Sequence, residues 1–529
     1  MPVAIATAAA PTSGTLPVAQ AIAIDCGGFT PVAVLVLATR ASSLATVTDG
    51  AMYSAGFTDG TTTRLASAMS EDGQSAATAD TGIDYDATST IVRILNTTSE
   101  TTDGAADFVS LDVDELNIEW QSLPTDAVQI MVWAFYGEGW QARTGVRGCS
   151  DVLNATVSVV GTAFRPAGII SIGARAGFSS SGANADMHFG FAALNSDGTV
   201  QGQGCYGLRE GDRPALTAAF SGIRNDCIGF MTTLTAEEAR YEITEGTADG
   251  FKITTRVASG FAYSVGFIAL YPNGRRCTAG AVDLGTATTG EKTIAVGLHP
   301  EAFFLIGSAL SSLNAYSGTA PSGNWSFGVA TEDAQGNIGY QAAAVAVTSD
   351  TRCVTDDTDI ITVISDAGAE DWDASLVSFG PNPDSVVIDI TGASSANRHA
   401  IFFAIEAETL IIIDETEEIS ETAALNIGLS LSETEEISET AVLVASTELA
   451  ASVNDETVEI SETAAFLSFS AINSFTDTEE ISETSLLILG GVLILTETVE
   501  ISEESNFGGG LLSTKAQRAG EVVQWAEGN

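Results

Sequence analysis

Basic residues are scarce in this chain of 529 residues. Lys and Arg total 20 against 69 Asp and Glu, which gives a formal net charge of −49. A surface that binds DNA, RNA or an anionic membrane needs cations to neutralise phosphate groups. The charge balance therefore excludes nucleic-acid binding as a main role.

Long apolar runs are also missing. The most apolar stretch, residues 486–495, is ten residues long and is interrupted by Gly490 and Gly491. A helix that spans a bilayer needs about 20 apolar residues. Residues 1–5 lack the basic start and the sustained apolar core of a secretory signal. We therefore predict no membrane insertion, and synthesis in a cytoplasm.

Patterns that carry catalysis or bind metals are sparse. None of the three histidines, His188, His299 and His399, has a Cys, Asp or Glu partner at metal-ligand spacing. No nucleophile elbow, phosphate-binding loop or zinc-protease motif occurs, and no pair of carboxylates stands out as a glycosidase pair. We therefore predict no enzyme, no catalytic residue and no cofactor.

The cysteines are few and form no C-x-x-C pair, which argues against zinc ribbons and thioredoxin-like sites. Two of the six, Cys149 and Cys277, fall in the joints between the repeats described next. Two interpretations stay open for them: small buried residues, or disulfides between domains or subunits in an oxidising medium.

The chain contains three copies of one domain in tandem. Ala134, Ala269 and Ala404 each sit in an apolar, strand-like run, and the two intervals between them are identical. A proline marker, Pro31, Pro166 and Pro300, recurs at nearly the same interval. A third marker, a glycine before a turn rich in acidic residues, recurs as Gly56, Gly190 and Gly328.

Short segments rich in Val, Ile, Phe and Thr, separated by Gly, Asp, Asn and Ser, fill each copy. This pattern predicts an all-β chain of three tandem antiparallel β-sandwich (jelly-roll-like) domains. The runs around the three alanines are expected to be central strands with both faces covered. The predicted divisions are an N-terminal arm at 1–20, sandwiches at 21–148, 149–276 and 277–408, acidic β-repeats at 409–506 and a C-terminal docking tail at 507–529.

The acidic repeats carry about half of the net charge. Residues 406–505 hold 24 Asp and Glu and no Lys or Arg. A Glu-Ile-Ser-Glu motif recurs around Ile419, Ile437, Ile460, Ile481 and Ile501, between stretches in which apolar residues alternate. A repeat of about 20 residues cannot bury its own apolar face, whereas stacked repeats or three chains wound together can. Disorder is the alternative, and calcium binding is the alternative to a solvated acidic face.

Two tryptophans beside turns, Trp140 and Trp325, are the candidates for contact with a ligand such as a sugar. Packing inside the fold is the competing interpretation for both.

The Gly-Phe-x-Pro-x-Ala-Val run that begins at Gly28 and the Ser-x-Gly-Phe-x-Asp-Gly turn that begins at Ser54 resemble domains of tailed-bacteriophage virion surface proteins, of the tail-fibre, spike or decoration type. The resemblance covers residues 21–408, and the acidic repeats are similar to shaft segments of such fibres. It implies a homo-oligomer, often a trimer, at the virion surface, with other virion proteins and a host receptor or glycan as partners. The acidic tract departs from the pattern, because it would repel itself in a tight trimer.

We therefore expect a structural component of a phage virion that acts in particle assembly and in host-surface adhesion. A bacterial surface adhesin or filament subunit is the alternative, and a polysaccharide-degrading tail spike is a second one.

Overall fold

The computed structural model divides the chain into two compact units, Met1–Ala407 and Glu408–Asn529. In the first unit it describes residues 3–73, 81–96, 101–174, 181–182, 185–210, 219–232, 237–258, 263–286, 289–308, 310, 312–317, 323–344, 349–364, 370–380, 384–392 and 397–407. In the second unit it describes only strands. The described residues are all-β, as predicted, and no helix that could cross a bilayer occurs among them.

The strands of the first unit repeat with a period of eleven, and we number the copies by these sets. Copy 1 consists of β1 (Val3–Ala9), β2 (Val18–Ala23), β3 (Ala33–Thr39), β4 (Thr48–Asp49), β5 (Ala51–Thr58), β6 (Thr63–Ser70), β7 (Thr81–Asp86), β8 (Thr90–Leu95), β9 (Thr102–Asp112), β10 (Glu115–Ser122) and β11 (Gln129–Phe135). Copy 2 consists of β12 (Trp140–Gly148), β13 (Thr156–Val160), β14 (Gly168–Ala174), β15 (Ser181–Gly182), β16 (Ala185–Leu194), β17 (Val200–Glu210), β18 (Ala219–Arg224), β19 (Gly229–Thr232), β20 (Glu237–Thr247), β21 (Gly250–Val257) and β22 (Ser264–Pro272). Copy 3 consists of β23 (Cys277–Thr286), β24 (Gly290–Ala295), β25 (Pro300–Ser308), β26 (Ala315–Ser317), β27 (Trp325–Ala330), β28 (Gln335–Ala344), β29 (Ser349–Asp356), β30 (Ile361–Ile364), β31 (Glu370–Phe379), β32 (Ser385–Ile390) and β33 (Asn397–Glu406).

Each copy builds one long sheet and one short sheet in the same strand order. In copy 1 the long sheet runs β1-β11-β3-β5-β6-β7, and the short sheet runs β2-β10-β9-β8. Neighbouring strands are antiparallel throughout the described sheets of the three copies. Apolar side chains from both sheets of a copy form one buried cluster.

The first strands of copies 1 and 2 lie before the predicted domain boundaries. Residues 1–20, predicted as an arm, contain β1 and the start of β2, and β1 pairs with β11 along its whole length. In the same way β12, which the predicted boundary assigns to the first sandwich, pairs with β22 in the long sheet of copy 2.

The strands around the three repeated alanines have both faces covered, as predicted. In β11, Val132 and Ala134 belong to the cluster between the sheets of copy 1. The alternate residues, Trp133 and Phe135, belong to a different cluster that all three copies share. Successive side chains of a strand point to opposite faces, so one strand serves two cores.

The shared cluster is an aromatic core contributed by the three long sheets, and we call it the central core. In it, Trp325 of copy 3 lies 5.5 Å from Tyr53 of copy 1 and 5.0 Å from Phe189 of copy 2, measured between ring centroids. Trp133 of copy 1 lies 4.6 Å from Phe327 of copy 3 in an edge-to-face arrangement. Such pairs add about 0.5–1.5 kcal/mol each beyond the burial of their area. The copies are thus packed as one body.

The glycine marker lies where the long sheet packs directly against the backbone at the edge of the short sheet. A Cβ atom built on Gly56 would lie 1.8 Å from the carbonyl oxygen of Ile91. At the equivalent positions, Gly190 would meet Ile228 at 2.0 Å and Gly328 would meet Ile360 at 1.7 Å. Only a residue without a side chain fits between these two stretches of backbone.

The described part of the second unit consists of short strands, and these pair mostly in parallel. Its strands are β34 (Leu410–Asp414), β35 (Ala424–Leu425), β36 (Gly428–Ser432), β37 (Glu436–Ser438), β38 (Val442–Val444), β39 (Ser452–Val453), β40 (Glu459–Ser461), β41 (Ala465–Leu467), β42 (Asn473–Phe475), β43 (Glu479–Ile481), β44 (Leu486–Ile488), β45 (Leu493–Leu495), β46 (Val499–Ile501), β47 (Asn506–Phe507), β48 (Ala516–Arg518) and β49 (Glu521–Val523). From β37 to β47 the strands enter three sheets in turn, with orders β37-β40-β43-β46, β35-β38-β41-β44-β47 and β39-β42-β45.

The acidic motif is in register in the first of these sheets. Ile437, Ile460, Ile481 and Ile501 are consecutive register partners, and so are Glu436, Glu459, Glu480 and Glu500. Each repeat therefore pairs with the next repeat of the same chain. The motif around Ile419 lies outside the described residues. In the C-terminal tail, β48 and β49 pair as an antiparallel hairpin.

Candidate functional site

The fourth strand of each copy leaves its own copy and pairs with a neighbouring one. The strand β15 of copy 2 pairs with β7 of copy 1, β26 of copy 3 pairs with β18 of copy 2, and β4 of copy 1 pairs with β29 of copy 3. Each exchanged strand adds a seventh strand to the edge of a long sheet. Because every copy gives one strand and receives one, the exchange closes into a ring, and we call these three contacts the seams.

The seam between copies 1 and 3 is held by buried hydrogen bonds between residues from opposite ends of the first unit. The hydroxyl oxygens of Thr39 and Thr355 lie 2.6 Å apart. The backbone N–H of Gly50 donates to the carbonyl oxygen of Thr351 at 2.8 Å, and the Thr351 hydroxyl donates to the carbonyl oxygen of Ser70 at 3.0 Å. Hydrogen bonds of this kind contribute about 1 kcal/mol each, and more is lost when a buried partner is removed.

Ionic contacts extend this seam to the surface. The guanidinium of Arg352 donates from Nε to Asp49 Oδ1 at 3.0 Å. The backbone N–H of Thr351 donates to Asp72 Oδ1 at 2.9 Å. Asp49 is largely exposed, so its pairing with Arg352 adds specificity more than stability.

The seam between copies 2 and 3 uses a reciprocal pair of asparagines. The backbone N–H of Asn225 donates to Asn314 Oδ1 at 3.1 Å, and Asn314 Nδ2 donates to Asn225 Oδ1 at 2.8 Å. Asn314 also donates its backbone N–H to the carbonyl oxygen of Ile223 at 2.8 Å. Its φ of 59° lies in the left-handed region, which asparagine tolerates better than most residues.

The first strand of copy 2 makes a further contact with the acidic turn of copy 1. The Thr144 hydroxyl donates to the carbonyl oxygen of Thr62 at 2.6 Å, and the backbone N–H of Thr144 donates to Asp59 Oδ2 at 3.0 Å. Arg143 lies 3.4 Å from the same carboxylate. The turn acid that marks the repeat therefore has a structural role in copy 1.

Two arginines at the joint between copies 2 and 3 pair with acids of copy 3. Arg275 forms an ion pair with Glu301 at 2.6 Å. Arg276 donates to Glu406 from Nε and from its backbone N–H, both at 2.9 Å. Burial by itself would raise the pKa of Glu406, but the hydrogen bonds from Arg276 outweigh it, and the pKa lies below its ordinary value.

An open groove of about 430 Å³ lies on copy 3, beside its own acidic turn. Carboxylates line part of it, and the half-exposed Val377 and the ring of Phe379 line another part. Gln335 bridges the two walls, because it donates to the carbonyl oxygen of Thr358 and accepts from the backbone N–H of Leu376 at 2.6 Å. The acids that line the groove are Glu332, Asp333 and Asp357.

The two tryptophans proposed as ligand contacts are both buried. Trp325 is 0% exposed and packs in the central core, so it is not a surface contact, and this corrects the prediction from its position beside a turn. Trp140 is 5% exposed and lies 5.9 Å from the guanidinium carbon of Arg275, within range of a cation–π interaction. Their neighbours in the sequence are turns, but their neighbours in space come from other strands and copies.

The two joint cysteines do not come together. Cys149 belongs to the cluster between the sheets of copy 2, and Cys277 belongs to the central core. Both are buried free thiols, and burial raises the pKa of Cys149 to about 12. Neither forms an interdomain disulfide in this structure.

Of the three histidines, His188 has the most unusual surroundings. It is fully buried between Gly173 and Gly229, and neither ring nitrogen has a hydrogen-bond partner in the described part of the chain. Burial lowers its pKa to about 3, so the ring is neutral at pH 7. The equivalent residues Ser54 and Ser326 accept a backbone N–H of the short sheet at 3.1 Å each. In copy 2 the imidazole ring of His188 occupies this position and accepts no such hydrogen bond from the described residues. No group of three or more His, Cys, Asp or Glu that could hold a metal occurs among the described residues.

Sequence reasoning missed the seams. The exchanged strands lie in the connections 40–50, 175–184 and 309–324, each longer than a hairpin between adjacent strands requires. That excess length was the available signal. Comparisons of the chain with protein-family models, with curated proteins and with solved structures found no match.

Proposed function

We propose that this chain is a structural protein of a tailed-bacteriophage virion, of the fibre, spike or decoration type. In this proposal three sandwich units form its body and the acidic repeats form a stalk. The observation that carries the proposal is the ring of exchanged strands around the central core. Such closure holds the surfaces of the three copies in a fixed arrangement.

The ring bears on how the protein assembles. The resemblance to virion proteins implies trimers, and this chain places three copies of one fold around a common core by itself. The central core is filled by aromatic and aliphatic side chains of this one chain, so it has no room for a second chain. Any homo-oligomer, a trimer included, would therefore form through other surfaces.

The parallel, in-register repeats support the stalk. Consecutive repeats pair strand to strand from β37 to β46. Stacked repeats extend along one direction and bury an apolar face that one repeat alone leaves open.

The groove on copy 3 favours adhesion as part of the function. Its mixture of carboxylates with Val377 and Phe379 suits a sugar, which presents hydroxyl groups at its edge and C–H groups on its face. The same carboxylates favour the polysaccharide-degrading spike as a second candidate.

Location tests the main proposal. Antibodies raised against the full-length protein, applied to intact phage particles in the electron microscope, are expected to label one fixed position on each particle. Label confined to the bacterial envelope would favour the adhesin instead, and particles without any label would refute the proposal.

Binding tests the groove. We expect full-length protein to bind host surface polysaccharide, and the double variant Glu332→Gln, Asp333→Asn to bind it several-fold more weakly. Glu291→Gln, at an exposed position of β24 outside the groove, is the matched control. Equal binding by all three proteins would exclude the groove, and shortened polysaccharide chains would favour the degrading spike.

A further inference from the structure

A pair of cysteines in copy 2 lies close enough for a covalent bond. The sulfur atoms of Cys205 and Cys227 are 3.1 Å apart, both residues are 0% exposed, and together they form a separate buried cluster. A disulfide has an S–S distance of about 2.05 Å, so closing the bond needs a movement of about 1 Å. Rotation about the two Cα–Cβ bonds provides movements of that size without a change of backbone.

The backbone holds both residues in place. Cys205 is on β17, where it pairs with Gly190 on one side and Arg224 on the other. Cys227 is in the turn before β19, and the next residue, Ile228, donates its N–H to the carbonyl oxygen of Tyr241 at 2.9 Å. A bond between them would tie the long sheet of copy 2 to its short sheet.

The equivalent positions of copy 3 make the same tie by another means. Strand register equates Cys205 with Asn337, since each pairs with the marker glycine of its copy. Cys227 is equivalent to Asp359, since each precedes the isoleucine whose carbonyl oxygen faces that glycine. In copy 3, Asn337 Nδ2 donates to the carbonyl oxygen of Asp359 at 2.8 Å. Copy 2 has thiols where copy 3 has this hydrogen bond.

We propose that Cys205 and Cys227 form an intrachain disulfide when the protein meets a low-molecular-weight disulfide such as oxidised glutathione. One cysteine thiolate attacks the glutathione S–S bond, forms a mixed disulfide and releases one glutathione thiolate. The second cysteine attacks the protein sulfur of that mixed disulfide and releases the second glutathione. Two protein thiols are thereby oxidised to one S–S bond, and one glutathione disulfide is reduced to two thiols that take up the two protons.

Access controls the rate of this reaction. Burial raises the pKa of the Cys205 thiol, and the hydrogen bond with Cys227 raises it further. The thiolate is the attacking species, so exchange is slow in the closed fold and faster during folding or local opening. The cross-link therefore belongs to folding or to the protein after it leaves a reducing cell.

The test uses three full-length proteins refolded with reduced and oxidised glutathione. They are the wild type, a pair-only variant (Cys26→Ala, Cys149→Ala, Cys277→Ala, Cys353→Ala) and the variant Cys205→Ala, Cys227→Ala. The wild type and the pair-only variant are expected to lose about 2 Da, to yield a peptide that joins residues 205 and 227, and to unfold a few degrees higher than their reduced forms.

The variant without the pair is expected to show no intrachain cross-link and no such rise. If it fails to fold, the mass and the peptide map of the pair-only variant decide the question. A pair that stays reduced after refolding, or a cross-link that joins other cysteines in the wild type, would overturn the inference.

Discussion

Replacing the marker glycine by alanine should destabilise the first unit in whichever copy the change is made. The variants are Gly56→Ala, Gly190→Ala and Gly328→Ala. In each, the new Cβ would lie between 1.7 and 2.0 Å from a backbone carbonyl oxygen in the edge strand of the short sheet or one residue before it. Contacts of a Cβ below 3.0 Å are essentially never seen, so the two sheets must separate by about 1 Å or more.

The size of the destabilisation depends on which atoms must move to make room for the new methyl group. The obstacle is backbone in a paired sheet, and it cannot swing aside as a side chain can. Inserting an extra methyl group into a packed core costs about 1–3 kcal/mol, and we expect about 3 kcal/mol here because both walls are rigid. Alanine also lowers the conformational entropy of the unfolded chain, which stabilises the fold by about 0.4–1 kcal/mol. The net loss in the free energy of unfolding is therefore about 2 kcal/mol or more.

Gly148→Ala is the matched control. No atom lies within 4 Å of a Cβ built on Gly148, and its φ is outside the left-handed region. We expect that variant to stay within about 0.5 kcal/mol of the wild type. Denaturant midpoints measured on all four variants and the wild type make the comparison. If the three marker variants unfold at the midpoint of Gly148→Ala, the close approach of the sheets does not exist.

Three more predictions concern charge. His188 has a pKa of about 3 in the fold against an ordinary value of 6.5, so the unfolded chain binds the extra proton between these values. Its contribution to stability is complete above pH 6.5 and falls as the pH drops, at about 1.4 kcal/mol per pH unit. His188→Ser should flatten the pH dependence of the unfolding free energy between pH 6 and 4, and an unchanged slope would contradict a buried neutral ring. The pKa of Glu406 lies below its ordinary value of 4.5, so the stability that it adds is present above that pH and is lost as the pH falls below it. Glu406→Gln should therefore lose less stability in acid than the wild type, and so should Arg276→Ala. If both variants unfold in acid as the wild type does, the pair between Glu406 and Arg276 is not formed. Glu459 and Glu480 are register partners on adjacent strands, and like charges directly opposite each other destabilise a sheet. Glu459→Gln and Glu480→Gln should each raise the protease resistance of the second unit in dilute buffer. The gain should be smaller in about 1 M salt, which screens the repulsion. Lower resistance of the variants would argue against the in-register pairing.

The pattern of the repeat predicted a large part of the fold, because the position of a strand and of a backbone constraint depends on residues that are close in the sequence. Alternating apolar residues indicate a strand with one buried face, and a continuous apolar run indicates a strand buried on both faces. Glycine and proline indicate where the backbone is constrained. The alanine marker therefore indicated central strands, and the glycine at 56, 190 and 328 marked a constraint at the right place. What the glycine avoids, a carbonyl oxygen of the other sheet, belongs to a residue distant in the sequence.

Candidate site residues were harder to predict, since their surroundings come from distant parts of the chain. Trp325 follows a turn in the sequence, yet Tyr53 and Phe189 of the other two copies enclose its ring. Cys205 and Cys227 form no recognised spacing motif. They meet because β18 pairs with β17, and Cys227 lies in the turn that follows β18. A turn in the sequence suggests that the side chain beside it is exposed. Whether that side chain is buried depends on the distant segments that pack against it.

The sequence by itself determined the all-β class, the three copies and the strongly negative net charge. These properties depend on composition and on period, which each stretch of chain carries without its neighbours. Only the tertiary structure decided that the copies exchange strands and share one core. A continuous apolar run shows that both faces of a strand are apolar, but it does not show what each face contacts. The partner of the second face is another copy, and that pairing depends on contacts such as Thr351 with Ser70, which join the last copy of the chain to the first.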